Sequence, residues 1–160
     1  MNRWLKKTPV VLALAGAIAL GACDDDPTGA DDDHNDDVDG LVLTLNGAEL
    51  SRYDGDTRTW STPVSIEVGE ETDHIDVEFV AEDGDVIPLE ADTYLEVAVG
   101  DDSIAEFEQD TPGEFGGHIH GETAGSTVME FRLMHGEVGS GHSDFSTADL
   151  VVTVVPAPVT

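Results

Sequence analysis

Between residues 41 and 155 the sequence runs in short stretches of alternating apolar and polar residues, each closed by turn residues. The stretches are LVLTL (41–45), PVSIEV (63–68), HIDVEFV (74–80), TYLEVAV (93–99), IAEFE (104–108), HIH (118–120), STVMEFRLM (126–134) and LVVTVV (150–155). A period of two sends every second side chain to one face, so each stretch can bury one side and wet the other. EDGD, GDDS, DTPGEFGG, GETAG and GEVGSGHS separate them, rich in the Gly, Pro, Asp and Ser that set turn dihedrals. No stretch has the length and 3.6-residue period of a helix. Residues 41–160 are therefore expected to form one all-β sandwich of about seven or eight strands.

Residues 1–22 precede this domain with three basic residues (Arg3, Lys6, Lys7), an apolar run over 10–20 and a small-residue end. That is the layout of an export signal peptide, and the run is shorter than the roughly 20 apolar residues of a membrane span. Leu20-Gly21-Ala22-Cys23 resembles the lipobox of bacterial lipoproteins, and Cys23 is the chain's only cysteine. The resemblance implies diacylation of Cys23 and a lipid-anchored place in the cell envelope, periplasmic or on the outer surface. The membrane is then a partner, because two acyl chains suffice for stable anchoring where one does not. With its cysteine so used, the mature chain has no thiol for an intrachain disulfide, for catalysis or for metal ligation.

Residues 24–40, DDDPTGADDDHNDDVDG, carry nine aspartates, and like charges at that density favour an extended, disordered tether. With Cys23 it makes up residues 23–40. As a flexible coil it reaches roughly 20 to 25 Å. Asn35, Asp37, Asp39 and Gly40 echo the start of an EF-hand loop, but position twelve is Asn46 where a bidentate Glu is needed. The whole chain has 35 Asp and Glu against 6 Lys and Arg, a formal charge of −29, which deepens to −32 once the signal and its three basic residues are removed. Such a surface repels nucleic acid and anionic lipid headgroups. It suits divalent cations, a basic protein partner or a salty habitat that screens self-repulsion.

VAVGDDSIAEFEQ (97–109) and GETAGSTVMEF (121–131) resemble the strand, Asp-Ser turn and Gly-x-x-Ala-Gly-Thr stretch of bacterial immunoglobulin-like domains of the group-2 type. The likeness covers residues 62–155. It implies a Greek-key immunoglobulin-like sandwich and a role in adhesion, spacing or surface display, with no enzymatic activity.

The histidines are what this family resemblance does not cover. His118 and His120 are two apart on a strand, so their imidazoles share one face at about 6.6 to 6.8 Å between Cα atoms, close enough to reach one ion. His118-Ile119-His120-Gly121 also resembles the His-x-His-Gly of copper/zinc superoxide dismutases and of chordin-type domains. Later, Met129, Phe131, Leu133 and His135 share one strand phase, so His135 continues the core face to its rim. The glycine-rich loop after it returns His142 and Asp144 to its side. Two His and one Asp with an open position are the ligand set of several zinc, iron and copper sites, and copper or zinc is the expected ion here.

Two arrangements stay open. In one, His118, His120, His135, His142 and Asp144 gather at one end of the sandwich, near the loop bearing Asp83 and Asp85. In the other, the inward phase of Phe115, Gly117 and Ile119 leaves His118 and His120 on the outer surface beside His74 and Asp76 of the neighbouring strand. Met129 and Met134 fit the core better than a soft copper site.

No catalytic motif emerges. Ser140, His142, Ser143 and Asp144 include protease residue types, but as near-consecutive loop residues, whereas a triad is a geometry across the fold. The mature chain has no lysine, hence no phosphate-binding P-loop. The expectation is a lipid-anchored extracytoplasmic binding module holding copper or zinc. The alternative is a structural or adhesive surface domain without metal, and an enzyme of superoxide dismutase type is the least favoured reading.

Overall fold

The computed structural model describes residues 38–159. The expected signal peptide, the expected lipidation site Cys23 and all but the last residues of the acidic run lie outside the described residues. Eleven strands follow in order: β1 (Gly40–Leu45), β2 (Ala48–Asp54), β3 (Thr59–Trp60), β4 (Val64–Glu67), β5 (Ile75–Val80), β6 (Thr93–Val99), β7 (Ala105–Glu108), β8 (Gly116–Gly121), β9 (Gly125–His135), β10 (His142–Ser146) and β11 (Leu150–Val155). The described residues contain no helix.

The strands form two curled sheets around one core. The first runs β3-β2-β1-β5-β8-β7. The second is built on β9, with β6 on one edge; the other edge is shared by β10, along Arg132–His135, and β11, along Gly125–Met129. β4 closes that side, parallel to β11, while the other pairs are antiparallel. Leu41, Leu43, Ile75, Val77, Phe79 and Ile119 bury against Leu95, Met129, Phe131, Leu133, Leu150, Val152 and Val154. Each such side chain removed from water contributes about 1.5–3 kcal/mol. Phe131 meets Trp60 and Phe107 at ring separations of 5.7 and 5.6 Å. The Trp60 Nε1–H donates to the Ala148 carbonyl at 2.8 Å, which ties the first sheet to the chain entering β11.

Where β10 gives way to β11, the ladder is kept whole by Thr147. Its N–H donates to the Phe131 carbonyl at 3.0 Å and its Oγ1 accepts from the Phe131 N–H at 3.1 Å, so no buried backbone group there loses its partner.

The all-β sandwich matches the expectation, but with eleven strands instead of seven or eight. The three unexpected strands each break the apolar alternation. In β2 the inward position next to Tyr53 is Ser51, buried because its hydroxyl donates to the Thr62 carbonyl at 2.7 Å. β3 has two residues, and β10 (HSDFS) is mostly exposed or half-buried. The signal for β2 lay in its turn: Asn46 and Gly47, at φ 53° and 76°, are the Asn-Gly pair that two-residue hairpins favour.

Candidate functional site

At the end of β9 the inward phase of Met129, Phe131 and Leu133 continues to His135, which lies half-buried at the rim. The loop beyond returns tightly because Gly141 has no side chain: a Cβ there would lie 2.3 Å from the His135 carbonyl oxygen and 2.9 Å from the Tyr94 hydroxyl. The Gly141 N–H instead donates to that hydroxyl at 3.2 Å. The hairpin sets His142 directly opposite His135, with ring centroids 5.3 Å apart.

The register then shifts between Ser143 and Phe145, and the extra residue is Asp144. Bulges re-aim side chains, and this one turns the Asp144 carboxylate inward until its side chain is only 3% exposed. Its Oδ1 lies 3.1 Å from His142 Nε2 and its Oδ2 3.9 Å from His135 Nδ1. From the opposite edge of β9, Thr93 pairs with His135, which brings Asp92 within reach of the ring. His135 Nε2 lies 2.8 Å from Asp92 Oδ2 and 4.0 Å from Glu90 Oε2. An ionised carboxylate only accepts, so Nε2 carries the proton and donates. That bond is the main reason the Asp92 carboxyl is held below its ordinary range. The same bond raises the His135 pKa, against desolvation and with help from the charges of Asp92, Asp144 and Glu90.

A second group lies on the outer face of the first sheet. β8 runs beside β5, with Gly117 opposite Ile75 and Gly116 opposite Asp76. A Cβ on Gly116 would come within 2.4 Å of His74 Nε2 and 2.8 Å of the Ile75 carbonyl oxygen, so the close approach requires glycine. Ile119 points into the core while His118 and His120 point outward. The His118 Nδ1–H donates to the Thr72 carbonyl at 2.9 Å. This bond is the first cause of a raised His118 pKa, opposed by desolvation and aided by Asp110 and Glu71. The His74 and His118 rings meet edge to face at 5.2 Å. Asp110 lies 3.4 Å from His74 Nδ1 and 3.6 Å from His118 Nε2. His120 sits between Glu71 at 3.8 Å and Glu108 at 3.3 Å, and Asp76 is 3.8 Å from His74.

Among the described residues the donor atoms of three groups lie within 4.8 Å of one another: His135, His142 and Asp144; Glu90, Asp92 and His135; and His74, Asp110 and His118. Of the four later histidines, His118 thus falls in one group, His135 and His142 in another, and His120 in none. His118 is grouped with His74 and Asp110 but not with His120, and Asp76 stays at the margin. Asp83 accepts from the Asp85 N–H at 3.1 Å within its own turn, and neither belongs to a histidine group. The Ser140 and Ser143 hydroxyls donate to the carbonyls of Glu137 and Phe145 at 3.4 and 3.0 Å, so neither is turned to a base. Glu71, Glu90, Asp92 and Asp110 were not among the expected site residues. They reach the histidines from other segments through sheet register, and no local spacing signals that.

No family model matches the chain, and neither does any curated protein. Among solved structures the chain is similar to domains 4 and 5 of the S-layer protein SbsC, at 18% identity and a TM-score of 0.41. The match covers 59% of this chain and 48% of that one, so this chain spans about half the length of its match.

Proposed function

We propose that this chain is a non-catalytic β-sandwich displayed from the membrane of a bacterial cell envelope, in a structural or adhesive role, held by lipid on Cys23. The observation that carries the reading is how charge is distributed over the fold. On β5 and β7 the exposed outward positions, Asp76, Glu78, Glu106 and Glu108, are all carboxylates, while Ile75, Val77 and Ala105 pack inward. A face of this kind stays hydrated and repels anionic surfaces, so it is suited to display away from the membrane. β1 opens at Gly40, where the acidic run ends, which supports reading that run as a spacer between anchor and fold. The order β5-β8-β7 in one sheet and β6-β9-β11 in the other supports the resemblance to immunoglobulin-like domains.

The test is to express the full chain and its Cys23→Ser variant in bacteria fed labelled palmitate, then to fractionate the cells. The wild type should carry label, pellet with membranes and lend the cells added adhesion or envelope resistance. The variant should be unlabelled and soluble, and should lack that gain. Equal partitioning of the two forms would rule out the anchor, and an anchored chain without either gain would rule out the role.

A further inference from the structure

The geometry points to a binding site for one divalent first-row transition ion, of the zinc or copper kind, formed by His135, His142 and Asp144 at the β9–β10 hairpin. This site is independent of the proposed display role and of the lipid anchor.

The chemistry of the donors comes first. Two imidazoles and one carboxylate with room for a further ligand is a set that borderline divalent ions take, whereas calcium and magnesium prefer an all-oxygen shell. The three donor atoms already lie within 4.8 Å of one another. They sit on a paired hairpin, with His142 and His135 in direct register, so small side-chain rotations close the shell. The Asp144 side chain is 3% exposed and that of His142 is 62% exposed, which leaves one side for the ion and a water to enter.

The protonation of His135 supplies the second observation. Its Nε2–H is committed to Asp92 at 2.8 Å, which in the neutral ring leaves the lone pair on Nδ1. That atom is buried, makes no hydrogen bond with any described residue and faces Asp144 Oδ2 at 3.9 Å. A carboxylate that fixes the tautomer of an imidazole and aims its other nitrogen is what metal-binding histidines commonly have behind them. Asp92 is thus a positioning residue, and its carboxylate also makes the ring a better donor.

The other two groups fit less well. The Glu90 and Asp92 group uses the His135 nitrogen that already carries its proton for Asp92. In the His74 group, the Nδ1 bond of His118 to the Thr72 carbonyl likewise leaves Nε2 as donor, but the Asp110 side chain is 65% exposed, against 3% for Asp144.

The test is a Co²⁺ titration of the purified full chain, stripped with chelator and held in excess Ca²⁺ and Mg²⁺, followed by displacement with Zn²⁺. One Co²⁺ per chain should bind with visible ligand-field absorption, and Zn²⁺ should abolish the band. His142→Ala and Asp144→Asn should each weaken binding at least about tenfold, Asp92→Asn about 10- to 100-fold with the band retained, and His118→Ala not at all. His142 is exposed, so its truncation leaves the fold intact, and an unchanged amide spectrum confirms that for each variant. On Zn²⁺ binding the His135 Nδ1 resonance should shift while Nε2 stays protonated. Wild-type affinity in either His142→Ala or Asp144→Asn, or binding of Co²⁺ no tighter than that of Ca²⁺, would overturn the assignment.

Discussion

His135 donates from Nε2 to the Asp92 carboxylate at 2.8 Å, joining the last residue of β9 to the residue just ahead of β6. The bond favours a charged imidazole and a charged carboxylate together, and each partner's pKa moves accordingly. Replacing Asp92 by Asn removes the charge while keeping an acceptor. The His135 ring of Asp92→Asn should therefore titrate at lower pH than in the wild type, and proton NMR of the metal-free chain reads this directly. An unchanged titration would mean that the bond does not form in solution.

His118 gives the fold a pH dependence of definite sign. Its pKa is raised from the ordinary 6.5, first by the bond to the Thr72 carbonyl. The stability it adds is therefore complete below 6.5 and is lost as pH rises through its elevated folded value. Urea midpoints should fall over that window in the wild type and fall less in His118→Gln. A parallel decline in both proteins would show that other groups set the dependence.

Gly141→Ala should destabilise the domain by about 1–3 kcal/mol, the usual cost of forcing atoms into packed space, because its Cβ would lie 2.3 Å from the His135 carbonyl oxygen. Chemical denaturation measures the loss. The same substitution should also lower Co²⁺ affinity, since it spreads the hairpin that sets His142 against His135.

Phe131 is fully buried and touches Trp60 and Phe107 from the other sheet. Phe131→Ala should cost about 3–5 kcal/mol. On β11 next door, Val151 is 45% exposed, and Val151→Ala should stay within about 0.5 kcal/mol. Similar melting temperatures for the two variants would contradict the described core.

The strands legible in the sequence are those whose burial is purely apolar. Leu41 and Leu43, Ile75 and Val77, and Met129, Phe131 and Leu133 all show their inward face by alternation alone. β2 escapes because Ser51 holds an inward place through a hydrogen bond to Thr62, which hydropathy does not register. The hairpin that sets His142 beside His135 is also legible, since a glycine-rich loop leaves the chain little choice but to turn back. Asp92, Asp110 and Glu71 are not, because their positions beside the histidines depend on pairing between strands distant in sequence. Of the two arrangements that the sequence leaves open, the sandwich favours the one that parts the histidines: His118 lies on the outer face of the first sheet beside His74, in a different group from His135 at the rim of the second.

The most direct measurement is elemental analysis of the full chain and its His142→Ala variant after exposure to equimolar copper, zinc, iron and calcium, followed by desalting. About one copper or zinc ion per wild-type chain is expected, as a three-ligand site with an open position would hold, and none in the variant. No transition metal in either protein, or equal metal in both, would contradict the assignment.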